Sequence, residues 1–243
     1  MEKIEPIAMP GTHQSFLKYF KKFRHAKNLK ILDIGAGHGA FTKTLHEEGY
    51  NVSACDLFPE IFMFDKVVCQ KADITKELPY PDHSFDIVIA IEVSEHIIDH
   101  EQFFKEINRI LKPQGQLYLS TPNILSLKSR FWFLFRGFFY SFGKLDLANN
   151  DGLQHVASLT LDQYNYIALR NGFTIAKYDI DKKQNTSTWL LLLIFPFIWI
   201  NHKLRKTSNF HNMKTLLLGR LLFLSFESRK TNNTPRNSNS NEE

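Results

Sequence analysis

Cysteine is scarce: the chain has two in 243 residues, Cys55 and Cys69, and both fall inside apolar, strand-like runs. A disulfide framework is unsupported, and buried thiols in a reducing compartment are expected instead. The opening residues, MEKIEPIAMPGTHQSF, contain no apolar stretch of the kind a secretory leader needs, so a cytoplasmic location is expected. Internal repeats are absent. Apolar runs of membrane-spanning length are absent too: the longest, residues 189–200, has twelve residues. As a helix it would measure about 18 Å against ~30 Å of hydrocarbon, and Pro196 is expected to interrupt it. A simple span is disfavoured.

The hydrophobic content of 43% and charged content of 23% describe a globular chain with 22 phenylalanines. Its net charge of +5 is unevenly spread. Residues 1–123 carry 14 Lys/Arg against 17 Asp/Glu, residues 124–148 carry four against one, and residues 201–243 carry eight against three. The cationic excess thus accompanies the two most apolar stretches, 124–142 and 187–226. Basic and apolar together make a membrane-surface composition. A nucleic-acid groove would instead mix Lys/Arg with polar residues and isolated stacking aromatics, so no nucleic-acid partner is expected.

Apolar runs alternate with helical patterns from residue 29 onward. Strands are read at 29–34, 51–56, 66–73, 84–91 and 115–121, and a helix over 100–111 is expected to stop at Lys112-Pro113. Such alternation, with continuously apolar strands, predicts an α/β fold: a Rossmann-like, doubly wound, mostly parallel sheet covered by helices on both faces. Residues 11–25 place Phe16, Phe20 and Phe23 at helical spacing, giving an amphipathic helix in an N-terminal segment 1–28. Five parts are expected: 1–28 over the site, a core 29–123, an apolar and basic segment 124–158, a C-terminal part of the sheet 159–228, and a disordered tail 229–243. Within 159–228, a helix (160–172), a strand (173–180) and a last strand (219–228) leave 186–215 as an apolar insertion. In 124–142, Ser126, Ser129, Arg130 and Gly137 share one narrow helical face and the remainder is Leu, Phe and Trp. Core and lipid contact are both open for this segment, and Arg130 and Arg136 weigh against core.

The chemistry-bearing stretch is ILDIGAGHGAF, residues 31–41. A strand ends in Asp33, and Gly35-Ala36-Gly37-His38-Gly39 turn the chain into a helix while allowing a ligand close to the backbone. The dinucleotide fingerprint G-x-G-x-x-G is not met, because the third glycine falls one residue early and Ala40 stands in its place. Asp33 also suits an ammonium group better than a pyrophosphate. Downstream, Asp56 ends the second strand, where a carboxylate can accept both hydroxyls of a ribose. Asp73-Ile74 follow the third strand, and the fourth runs into Glu92-Val93-Ser94-Glu95-His96.

As a group these motifs resemble the class I S-adenosylmethionine (SAM)-dependent methyltransferases, over residues 29–123 and more weakly over 155–180. The resemblance implies SAM as cofactor and a seven-stranded sheet whose last strand is antiparallel. It implies that Asp33, Gly35, Ala36, Gly37 and Gly39 face the methionine part, Asp56 the ribose, and Asp73 and Ile74 the adenine. Glu92 and Val93 would line the methionine end. His96 and His155 are the two candidate bases, since an imidazole can take a hydroxyl proton near neutral pH. Glu95, His96 and His155 could converge, but spacing cannot show it and no metal is assigned. His100, in DHEQFF, is read as a solvent-facing helix start. No acidic-Pro-Pro-aromatic motif, such as amino-methylating enzymes use, follows the fourth strand.

Within that superfamily, STPNILSLKSRFWFLF resembles the ubiquinone-biosynthesis and methyltransferase type 11 group, in which an amphipathic, membrane-contacting segment follows the fifth strand. Thr121-Pro122-Asn123 departs from the T-x-N-R-like end of the quinone enzymes. The resemblance implies O-methylation of a hydrophobic or lipid-linked acceptor by a peripheral enzyme that meets the cytoplasmic membrane face through 124–142 and 187–206. Two alternatives stay open: a soluble small-molecule enzyme whose apolar segments form lid and core, and a non-catalytic SAM-binding membrane protein.

Overall fold

The computed structural model describes residues 4–149, 151–157, 159–205 and 210–231. In chain order the elements are α1 (Thr12–Lys21), β1 (Lys30–Ile34), α2 (Ala40–Glu47), β2 (Asn51–Asp56), β3 (Cys69–Lys71), β4 (Phe85–Ile91), α3 (His100–Ile110) and β5 (Leu111–Pro122). Then follow α4 (Leu127–Arg136), α5 (Leu161–Arg170), β6 (Lys177–Ile180), α6 (Asn185–Arg205), α7 (Lys214–Leu218) and β7 (Leu221–Glu227). The seven strands form one sheet in the order β3-β2-β1-β4-β5-β7-β6. The first five are parallel, and β7 is antiparallel to both of its neighbours, β5 and β6. This is the expected doubly wound sheet with an antiparallel last strand.

Strand alternation divides the core between the two faces of the sheet. Ile31, Ile87, Ile89, Tyr118 and Phe223 point to one side, where Phe16 and Phe20 of α1 and Phe41 and Leu45 of α2 cover them. Leu32, Ile34, Val88, Ala90, Leu117 and Leu119 point to the other, under Phe103, Phe104 and Ile107 of α3 and Tyr164 of α5. Cys55 is buried and Cys69 half-buried, and both are free thiols.

Several boundaries differ from expectation. The third strand shrinks from 66–73 to Cys69–Lys71, because it pairs only with β2 and its neighbour Val68 is exposed. The sixth shrinks from 173–180 to Lys177–Ile180, leaving a single bridge between Phe173 and Ser228. The helix α3 ends at Ile110, and β5 starts at once with Leu111 paired to Phe85. His100 is buried rather than solvent-facing, because it packs against the Tyr164 ring at 5.9 Å. The tail beyond 231 and Lys206 lie outside the described residues.

The two apolar helices both carry their large apolar side chains outward. In α4, Ser126 caps the first turn by accepting from the Ser129 N–H at 3.1 Å, and Gly137 closes the end with φ 70°. The narrow polar face, Ser126, Ser129 and half-buried Arg130, is turned inward: Arg130 donates to Asn212 Oδ1 and to the His211 carbonyl. Phe131, Phe133, Leu134 and Phe135 stand outward, while Ile124 and Leu125 join the core, so only the start of the segment is core. In α6, Ser187 is fully buried and accepts the Lys128 N–H at 3.1 Å, while Trp189, Leu192, Leu193, Phe195, Phe197 and Trp199 are exposed. Pro196 does not break this helix, contrary to expectation. It removes one N–H that would have bonded to the Leu192 carbonyl, and the helix continues for 21 residues, about 31 Å. Residues 185–204 have a mean hydropathy of 1.3 and are 6% buried, so by length and composition this helix could cross a membrane.

Candidate functional site

In a doubly wound sheet, ligands settle at the carboxyl ends of the strands where the order reverses, here between β1 and β4. A cavity of about 490 Å³ opens at that point. Asp33, Gly35, Ala36, Gly37, Asp56, Asp73, Ile74, Glu92, Val93, His96 and His155 all line it. Gly39 does not. It caps α2 in the left-handed region at φ 83°, and a Cβ there would stand 2.7 Å from the Phe62 ring. It sits in the turn between His38 and Ala40, both of which line the cavity.

The turn after β1 needs glycine for space as well as for backbone angle. Gly35 has φ 67°, and a Cβ on it would come within 2.5 Å of Val93 Cγ2. Gly37 has φ 52°, and its Cβ would meet Ile7 at 2.9 Å. Asp56 fixes this turn by accepting the Gly37 N–H on Oδ2 and the Phe58 N–H on Oδ1, both at 2.8 Å. Asp33 is nearly inaccessible and accepts the Thr42 hydroxyl at 2.6 Å. Burial pushes its carboxyl up to about 7 against the pull of that bond, and the nearby Asp56 adds to the rise. Glu92, at φ 55°, accepts the Ser120 hydroxyl at 3.0 Å, and burial raises it also to about 7.

The far end of the cavity holds the two histidines. His96 Nδ1 stands 3.1 Å from the Gln154 carbonyl, so the neutral ring donates there and offers Nε2 as acceptor. The His155 ring lies 4.9 Å from it, centre to centre, and Phe142 packs on its other side at 5.4 Å. Burial lowers the pKa of both histidines. Beside them Glu95 is fully buried with both carboxylate oxygens unpartnered, and burial holds its pKa well above the ordinary value. His155 Nδ1 is buried and unpartnered as well. The donor atoms of Glu95, His96 and His155 lie within 4.8 Å of one another, so these three residues could hold a divalent cation. The sequence assigned no metal here because His155 comes from a distant loop. That loop is drawn in when the Val156 and Ala157 N–H groups donate to the Glu95 carbonyl.

Sequence reasoning missed several lining residues: 6–9 and His13 at the amino-terminal side, Ser141 and Leu153, and Arg220 just before β7. Burial lowers His13 to about 4, which keeps it neutral. A signal for Arg220 existed. An antiparallel last strand enters the sheet from the edge where parallel strands end, which brings the residues before it to the site: Leu221 pairs with Pro122.

A methyltransferase domain model matches residues 32–119. The ubiquinone biosynthesis O-methyltransferase of Rickettsia akari is 28% identical over 130 residues, covering 51% of this chain and 51% of that protein. The mitochondrial ubiquinone biosynthesis O-methyltransferase of Homo sapiens is 31% identical over 141 residues, covering 51% of this chain and 37% of that one. The chain therefore spans about half or less of the length of these relatives. A crystal structure of a SAM-dependent methyltransferase from Archaeoglobus fulgidus aligns over 89% of this chain and 94% of its own with a TM-score of 0.60, at 17% identity, a likeness of fold. The sheet order and the match over 32–119 agree: that stretch is similar to a methyltransferase domain, and the sheet shares the fold of the SAM-dependent methyltransferase it aligns with.

Proposed function

We propose that this chain is a SAM-dependent methyltransferase acting on an oxygen of a hydrophobic, lipid-linked acceptor at the cytoplasmic face of a membrane. The observation that carries the reading is one continuous cavity joining the glycine turn, the carboxylates at the strand ends and the two histidines. The fit to the cofactor rests on the same space. Side chains at Gly35 and Gly37 would fill the cradle, and Asp33, Asp56 and Asp73 stand at three successive strand ends. In this reading Asp33 balances the amino-acid ammonium, Asp56 accepts from the ribose hydroxyls, Asp73 and Ile74 flank the adenine, and Glu92 and Val93 border the methionine end. When bound, the cofactor supplies a methyl group on a cationic sulfur.

What remains for the protein is alignment and one proton. Nε2 of His96 can accept the acceptor's hydroxyl proton, because its Nδ1–H is tied to Gln154. His155 is the alternative base, and its low pKa keeps it in the accepting form at neutral pH. A cation on Glu95, His96 and His155 would polarise the same hydroxyl, and the unpartnered atoms of Glu95 and His155 favour that variant.

The membrane part of the proposal is supported by α4, whose narrow polar face turns inward, and by α6, which is exposed or half-buried along its length except at buried Ser187, with phenylalanine, leucine and tryptophan outward in both. Lys128, Arg136 and Lys203 sit over Tyr140, Trp132 and Trp199, where they can meet anionic headgroups. In this reading α6 does not cross the bilayer, which the chain length supports. Only 206–209 join Arg205 to Phe210, and Phe210 packs on Tyr178 of β6, so the return path is at most about 18 Å against ~30 Å of hydrocarbon. Helix α6 therefore lies within one leaflet, and stacked Phe133 and Phe139 lead inward to Phe142 and His155. The test is incubation of the purified chain with isotopically labelled SAM and membrane extract, followed by mass spectrometry. Label in the lipid fraction is expected. Label confined to water-soluble compounds would refute the lipid acceptor, and no label at all would refute catalysis.

A further inference from the structure

We infer that Arg220 is the counter-ion for the carboxylate of the cofactor's amino-acid end, an inference that rests on the cofactor proposed above. The cavity is strongly asymmetric in charge. Asp33, Asp56, Asp73 and Glu92 line it, and Arg220 is the one Lys or Arg among its described lining residues. A zwitterionic amino acid places its ammonium readily in such a space, whereas its carboxylate needs a donor that four carboxylates do not repel.

Several other donors near the turn are already engaged. The Gly35 and Ala36 N–H groups donate to the Cys55 carbonyl, that of Gly37 to Asp56, and that of Gly39 to the Ala36 carbonyl. His38 Nδ1 is 2.9 Å from the Glu5 carbonyl. His13 is neutral at physiological pH. Arg220 is different. Its Nε donates to Asp181 Oδ2 at 2.5 Å and Nη2 to Thr12 Oγ1 at 3.0 Å, whereas Nη1 meets only the Met9 sulfur at 3.6 Å, a weak acceptor. Arg220 lines the cavity with Met9 and His13, and Glu92 is close enough to feel the guanidinium's field. The backbone at Arg220 is pinned as well: its N–H donates to the Lys182 carbonyl and its carbonyl accepts from Asn123. Asp181, itself buried and held by the Leu221 N–H, orients the fork and leaves its outer N–H groups for the ligand.

The test compares two ligands on the full chain by calorimetry. S-adenosylhomocysteine carries the amino-acid end, and 5′-methylthioadenosine is the same nucleoside thioether without it. In R220M, affinity for S-adenosylhomocysteine should fall at least about tenfold, as expected for a lost charge-assisted hydrogen bond, while affinity for methylthioadenosine stays unchanged. R220K should fall between. If R220M fails to fold because Asp181 is left unpaired, R220M/D181N removes both charges and the same ratio of affinities is read. An unchanged ratio, or an equal loss for both ligands, overturns the role of Arg220 while leaving cofactor binding in place. A wild-type chain that binds neither ligand overturns both readings.

Discussion

Asp33 sets up a conflict between stability and binding that Asp33→Asn should expose. Its carboxyl, ordinarily near 3.8, rises to about 7 in the fold, chiefly through burial. Between those values the folded chain holds a proton that the unfolded chain releases, so the stability contributed at this position is present below pH ~4 and is lost as pH rises through 7. At pH 8 the full shift applies, roughly 4 kcal/mol at 1.36 kcal/mol per pH unit. Asparagine removes that penalty and keeps an oxygen for the Thr42 hydroxyl, but it forfeits the charge-assisted character of that bond. A net gain of roughly 2 kcal/mol is expected, or about 4–8 °C in melting temperature for a chain of this size. Melting curves of wild type and D33N without ligand, taken from pH 4.5 to 8.5, should diverge as pH rises. Affinity for S-adenosylhomocysteine should move the opposite way, falling in D33N because the ammonium loses its carboxylate. A variant that melts below wild type at pH 8, or a gap that does not change with pH, would refute the reasoning.

The other predictions concern the cluster and the surface. Zinc or manganese at micromolar excess should raise the melting temperature of wild type and leave E95Q and H155A unmoved. A shift of equal size in all three proteins would sink the cation site. The double substitution L192K/L193K falls on an exposed stretch of α6, so melting temperature and S-adenosylhomocysteine affinity should hold while flotation with anionic liposomes is lost. Flotation undiminished by two buried-in-lipid lysines would count against the leaflet-embedded helix.

Much of the sheet was legible because parallel strands buried on both faces write long apolar runs, and because turn glycines and strand-end carboxylates recur at fixed places along the chain. Asp33, Asp56 and Asp73 stand where that rule marks them, Glu92 came with the methyltransferase resemblance, and the cavity gathers all four. Short edge strands were overcalled: apolar residues such as Val68 satisfy a strand pattern without a neighbour to pair with. The path of α6 through Pro196 was not legible, since proline's effect on a helix depends on whether the freed carbonyl finds a partner or a tolerant surface. Gly39 matched a binding motif by spacing, but its neighbour is Phe62 rather than the cavity. His155 and Arg220 reach the site from loops far along the chain, and only the closed topology brings them near Glu95 and Asp33. Local pattern does not encode such meetings.

The place of β7 also sets the order in which the molecule can be finished. Strand β6 has no sheet partner except β7, and all of α6 is made between the two. At the pace of ribosomal synthesis the 47 residues from Ile180 to Glu227 take roughly 2–9 s, an interval in which β6 is unpaired and α6 has only α4 to lean on. An outward-facing leucine and tryptophan surface is an aggregation hazard for that time in water, and a nearby bilayer removes it. If that surface meets a bilayer as proposed, the membrane would also be the safest place for the last strand to close the sheet.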